Sequence, residues 1–131
     1  METQNLWPDF TVEKTRTPRF ILKEQAGYLM AKTKNVLSAE VRTRQEHGQM
    51  EQNFYVVAPA LNNYRYKLLS VVHDISYYPL TVSSQIYGEF EGQMEITVGG
   101  EDEFMKAIHT IFQHPDTARI ISSLYSQSLE E

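Results

Sequence analysis

Between Leu37 and Val98 the chain falls into five runs of period two separated at turn-forming residues, with the second and third runs apolar on both faces. Successive strand side chains point to opposite faces, so this alternation describes half-buried strands. Leu37, Ala39 and Val41 alternate with Ser38, Glu40, Arg42 and Arg44. A second run, Met50 to Ala58, sets Phe54, Val56 and Ala58 against Tyr55 and Val57. In a third, Tyr64 to Ile75, the residues Tyr64, Tyr66, Leu68, Ser70 and Val72 face away from Arg65, Lys67, Leu69, Val71 and His73. The fourth puts Leu80, Val82, Ile86 and Phe90 opposite Thr81, Ser83, Gln85 and Glu89, and the fifth puts Met94, Ile96 and Val98 opposite Glu95 and Thr97. His47-Gly48-Gln49, Asn62-Asn63, Tyr77-Tyr78-Pro79 and Gly92-Gln93 supply the breaks, and Pro59 marks an end, a bulge or an edge because it cannot donate to a ladder. Connections this short join antiparallel neighbours, so the expected sheet is a five-stranded meander.

Helical patterns flank the strands. Thr17-Pro18 is a helix start, with a hydroxyl to cap free N–H groups and a proline where no hydrogen bond is lost. Leu22, Ala26, Leu29 and Thr33 recur at helical spacing and predict a helix over 18–34. After Gly99-Gly100, the carboxylates of Glu101, Asp102 and Glu103 suit the positive end of a helix whose apolar stripe is Phe104, Ala107, Ile108, Ile111 and Phe112. His114-Pro115-Asp116 starts another, with Ala118, Ile121, Leu124 and Tyr125 inward. Residues 1–16 read as an irregular lead-in and 127–131 as a frayed tail. The fold class is α+β: about five mainly antiparallel strands with an N-terminal helix and two C-terminal helices, packed on one face of the sheet.

Composition bounds the rest. A chain of 131 residues fits one domain, and 41% hydrophobic with 11% aromatic residues argues against low-complexity disorder. With no cysteine there is no disulfide framework and no thiolate site or nucleophile. Met1 to Phe10 lacks the basic-then-apolar order of a signal peptide, and the longest apolar stretch, 54–61, is far short of the roughly 20 residues that span a bilayer. A cytoplasmic location and no membrane partner are the expectation. Residues 1–67 carry ten Lys/Arg against seven Asp/Glu, whereas 68–131 carry two against ten. Each half presents its own solvated face, or neighbouring copies attract through them.

The constellations that could carry chemistry are few. His73-Asp74 resembles a base and its orienter, but adjacent strand residues point apart unless the strand ends there, and Asp74 also reads as the start of the turn toward Tyr77. His109 and His114 are five apart, not the three or four of helical metal ligands, and the acidic trio at 101–103 reads as helix capping. Nucleophile-elbow and phosphate-loop motifs are absent from the sequence. No catalytic residue, metal or cofactor is expected. Tyr64-Arg65-Tyr66-Lys67 pairs aromatic with basic residues as single-strand nucleic-acid binders do, yet alternation separates the tyrosines from the cations.

Six of eight tyrosines fall between Tyr55 and Tyr87, and the second and third strands carry apolar residues on both faces. The set Tyr55, Val57, Leu69 and Val71 is therefore the expected contact surface, covered by another subunit or by helices of the same chain. The leading functional expectation is a protein-interaction or adaptor domain, self-associating as a homo-oligomer, with a protein partner and no catalysis. One alternative is a small enzyme or ligand-binding protein with a pocket near His73. Another is a single-stranded nucleic-acid binder using Tyr64, Arg65, Tyr66 and Lys67.

Overall fold

A computed structural model describes residues 3–12, 16–87 and 94–130. Helix α1 (Pro18–Lys32) is followed by strands β1 (Ser38–Glu46), β2 (Gln49–Ala58), β3 (Tyr64–His73), β4 (Leu80–Ser84) and β5 (Met94–Val98), then helices α2 (Glu101–Gln113) and α3 (Pro115–Leu129). The strands form one antiparallel sheet in sequence order, the meander that short connections demand. All three helices pack on the same face, where Ile21 and Leu22 of α1 and Phe104, Ile108 and Ile111 of α2 meet Phe54, Val56, Leu69, Val71, Leu80 and Val82.

Local chemistry sets most boundaries. Thr17 caps α1 by accepting from the Phe20 N–H at 3.0 Å. The helix ends at Lys32, two residues before the spacing suggested, because Lys34 and Asn35 adopt left-handed φ of 51° and 64°. Thr33 is buried there, and its hydroxyl accepts from the Leu37 N–H at 3.2 Å, tying the helix end to the start of β1. His47 and Gly48, at φ of 51° and 80°, form the two-residue hairpin between β1 and β2, where a positive φ favours glycine.

Three elements depart from the alternation. β3 stops at His73 rather than Ile75, because the Asp74 carbonyl accepts both from His73 Nδ1 at 2.7 Å and from the Tyr77 N–H at 3.0 Å, which turns the chain. β4 stops at Ser84, whose hydroxyl donates to the Leu68 carbonyl at 2.7 Å and accepts from the Ile86 N–H at 3.2 Å, drawing Gln85–Tyr87 into a 3-10 turn. The expected continuation through Glu89 and Phe90, and the Gly92-Gln93 turn, lie outside the described residues. The inward face of α3 is Thr117, Leu124 and Ser128, with Ile121 and Tyr125 half-buried, while Ala118 is exposed. Thr117 sets that rotation by donating its hydroxyl to the Ile111 carbonyl at 2.6 Å across the α2–α3 turn. α3 itself runs to Leu129, into the stretch expected to fray.

The largest correction concerns β3. Phe54 pairs with Leu69 while Tyr55 pairs with Lys67, so Leu68 is an extra residue and a β-bulge. A bulge inverts the parity of everything after it. Tyr64, Tyr66 and Leu68 face the helices before it, and Leu69, Val71 and His73 face them after it. Leu69 is 1% and Val71 0% exposed. Strict alternation had put Leu69 and Val71 on the outer face and Ser70 and Val72 inside, which is the reverse of the structure.

Candidate functional site

The sheet divides the expected site residues between two surfaces. On the face away from the helices, Tyr55 is partly exposed and Val57 is buried beside Arg65, its cross-strand neighbour. Leu69 and Val71 lie on the opposite face, inside the core. The four residues therefore form no common contact surface, and helices of the same chain cover two of them. The outer face is charged instead. Glu40 Oε1 lies 2.7 Å from Arg65 Nε and 3.1 Å from Arg42 Nε, and Arg44 pairs with Glu46 and Glu51.

That pattern bears on the aromatic-basic segment. Tyr64 and Tyr66 open toward α3, where with Leu61, Arg119, Ile120 and Gln127 they line a broad cleft of about 630 Å³. Arg65 and Lys67 point to the other face, and Arg65 is committed to Glu40. Stacking surface and phosphate-binding charge sit on opposite sides of the sheet. Burial, with smaller contributions from Tyr64 and Asp116, raises the Tyr66 phenol above its ordinary range.

His73 is 3% exposed and enclosed by a chain of hydrogen bonds. Its Nδ1 contacts the Asp74 backbone carbonyl at 2.7 Å, which assigns the proton to Nδ1 and leaves Nε2 to accept from Gln52 Nε2 at 3.2 Å. Gln52 Oε1 accepts from the Thr43 hydroxyl at 2.6 Å, and Thr43 accepts from Arg19 Nε at 3.0 Å. The Asp74 carboxylate turns away and accepts from Gln49 at 3.3 Å. Both ring nitrogens are engaged, and the His73 and Asp74 side chains do not pair with each other. The network joins α1, β1, β2 and β3, as a satisfied buried polar chain does. The ring lines neither of the two larger clefts.

The more apolar cleft lies elsewhere. Between α1 and the α2–α3 corner is a groove of about 300 Å³, floored by Phe54 and Val56 of β2 and Leu68 of β3. Tyr28 and Leu29 form the α1 wall, and Phe112 and Ile121 form the other. Gln25, Lys32 and Gln113 supply its polar lining, and Ala118 lies at the exposed surface of α3. The Phe54 and Phe112 rings meet at 5.6 Å between centroids, tilted by 44°. The bulge contributes to this groove directly, because it delivers two consecutive leucines to one face: Leu69 fills the core and Leu68 lines the opening. Sequence reasoning assigned Leu29, Phe112 and Ile121 to core stripes, and the half-buried end of each stripe is what forms the groove. The signal available was that these stripes outnumber the positions one sheet face can cover.

A second feature was read only as lead-in. Leu6, Trp7 and Phe10 are 84%, 76% and 74% exposed, and the two rings lie 6.1 Å apart. The signal was present as an apolar cluster without periodicity.

At the α2 end of the fold, the Tyr78 hydroxyl is buried without a hydrogen-bond partner among the described residues. Burial raises its pKa, the Glu101 carboxylate adds to this, and Arg16 opposes it. A buried unpaired hydroxyl costs about 1–3 kcal/mol, so Tyr78→Phe is expected to stabilise the fold by about 1 kcal/mol. The same raised phenols impose a pH dependence. Above about pH 10 the unfolded chain releases tyrosine protons that the folded chain retains, so stability falls as pH rises. Urea melts between neutral and alkaline pH should show this decline, flattened in a Tyr66→Phe/Tyr78→Phe double variant. An unchanged alkaline slope would contradict it.

Among the described residues no group of three or more His, Asp or Glu side chains converges on a metal-sized site, and no helix is long and apolar enough to cross a membrane. Fold and groove together define a small α+β domain with one helix-covered sheet face and an apolar cleft at the helix junction. The chain matches no protein-family model, no curated protein and no solved structure.

Proposed function

We propose that the chain is a non-catalytic protein-interaction domain of the cytoplasm, an adaptor that takes an apolar segment of a protein partner into the α1–α3 groove and associates with copies of itself. The observation that carries this reading is the groove's composition. Its floor is hydrocarbon and aromatic surface, its rim offers amide and ammonium groups, and its titratable side chains are Tyr28 and Lys32. Helix-walled apolar grooves bind by burying a few anchor side chains, with polar rims that fix register. The outer face of the sheet is charged, with Arg42, Arg44 and Arg65 paired to Glu40, Glu46 and Glu51, which favours the helix side as the apolar docking surface.

The test compares the chain with an Ala118→Glu variant. Residue 118 is exposed, so the substitution removes no core contact and places a carboxylate at the groove. Wild type is expected to self-associate at tens of micromolar and to retain a specific protein from host lysate, and the variant is expected to lose both. A monomer that retains no protein contradicts the reading. Retained nucleic acid that salt releases would redirect attention to Tyr64, Arg65, Tyr66 and Lys67.

A further inference from the structure

The arm before α1 carries its apolar residues outward. Leu6, Trp7 and Phe10 are more exposed than all other described large hydrophobics except Val12 and Ile75. The Trp7 N–H donates to Asn5 Oδ1 at 3.1 Å, and Pro8 disfavours helical geometry at Trp7. Trp7 and Phe10 thus form one aromatic lobe with Asp9 beside it, the arm's single charge between residues 3 and 12.

The groove answers this lobe in shape and charge. It is an apolar trough large enough for one or two aromatic side chains, and Lys32 is the one charged residue in its lining. The base of the arm is fixed at the other end of the helices. Arg16 pairs with Glu24 at 2.6 Å and Glu101 at 3.8 Å, at the start of α2, whereas the groove meets α2 at Phe112 and Gln113. Among the described residues, none of the arm lines its own groove.

We infer that the N-terminal arm of one copy seats Trp7 and Phe10 in the α1–α3 groove of a second copy, with Asp9 against Lys32, making a reciprocal arm-exchanged dimer. This rests on the groove being the docking surface proposed above and names its occupant. Each aromatic buries roughly 150–250 Å², so the four aromatics of two exchanged arms remove about 600–1,000 Å² from water before the surfaces they cover are counted, which brings the contact to the small end of specific interfaces.

Trp7 is the chain's only tryptophan, so its emission reports the arm directly. In the full chain, sedimentation should show the mass doubling with concentration while the emission maximum moves to shorter wavelength in step. Trp7→Ala and Ala118→Glu should each abolish the doubling with unchanged far-ultraviolet circular dichroism. Mixing the two should restore the shift, since the first supplies an open groove and no tryptophan and the second an intact arm. A short-wavelength maximum in a monomer at every dilution would place the arm in its own groove and overturn the exchange. A dimer that Trp7→Ala leaves intact would also overturn it while the interaction-domain reading stands. A monomer with solvent-like emission that retains no lysate protein would remove both.

Discussion

Val71→Lys is expected to unfold the protein, while Val72→Lys, one residue along, should change stability by no more than about 1 kcal/mol. Val71 is 0% exposed on the helix-covered face, paired with Gln52 and Val82. An ammonium there has no carboxylate partner, and leaving a charge buried and unpaired costs several kcal/mol. That is comparable with the whole 5–15 kcal/mol stability of a domain. Val72 is half-buried on the outer face opposite Glu51 and Thr81, where a lysine reaches both water and a carboxylate. Urea melts of the pair read the parity of β3 directly. Strict alternation predicts the reverse result, with Val71 tolerant and Val72 essential, so a soluble, cooperative Val71→Lys would dismiss the bulge at Leu68.

Phe104→Ala should lower the unfolding free energy by about 3–5 kcal/mol, because a fully buried phenylalanine leaves a cavity that its neighbours fill only in part. Phe104 sits in the first turn of α2, held in place by the junction before it. Gly100 has no side chain to cap the helix, and Glu103 reaches back to accept from the Gly99 N–H at 3.0 Å. The ring therefore joins Leu80, Val82 and Val98 in the core cluster. Phe112→Ala is the contrast. Its ring is half-buried at the groove and touches Phe54, so the loss should be clearly smaller and should fall on binding rather than folding. Equal destabilisation by the two would show that the groove is an extension of the core.

What could be read from the residues was the set of elements and their order. Period-two alternation against helical spacing located all five strands and three helices, and short Gly-, Asn- and Pro-containing breaks implied antiparallel neighbours. The separation of Tyr64 and Tyr66 from Arg65 and Lys67 was legible because it precedes the bulge. Asp74 does not orient His73 for a different reason than strand alternation: β3 ends at His73, and Asp74 begins the turn to Tyr77 with its carboxylate on Gln49. The capping role of the acidic trio was also legible, through Glu103.

The contact surface was not. An extra residue in a ladder leaves no mark on a hydrophobic pattern when both Leu68 and Leu69 are apolar, so the same pair reads as ordinary alternation. Which leucine is extra depends on how β2 pairs with β3, a non-local choice made by burial under the helices. The groove has the same origin. No helix stripe announces that its outer residues will stay half-covered; that follows from α1 resting over β1 while α3 lies over β2, which leaves Tyr28, Leu29, Phe112 and Ile121 around a gap. By itself the sequence determined the elements and the polar caps, because those depend on neighbours within a turn or a strand, while the order of strands across the sheet was only the default for short connections. Only the tertiary structure decided the faces of β3 beyond Leu68 and the existence of the groove, because both depend on packing between segments distant along the chain.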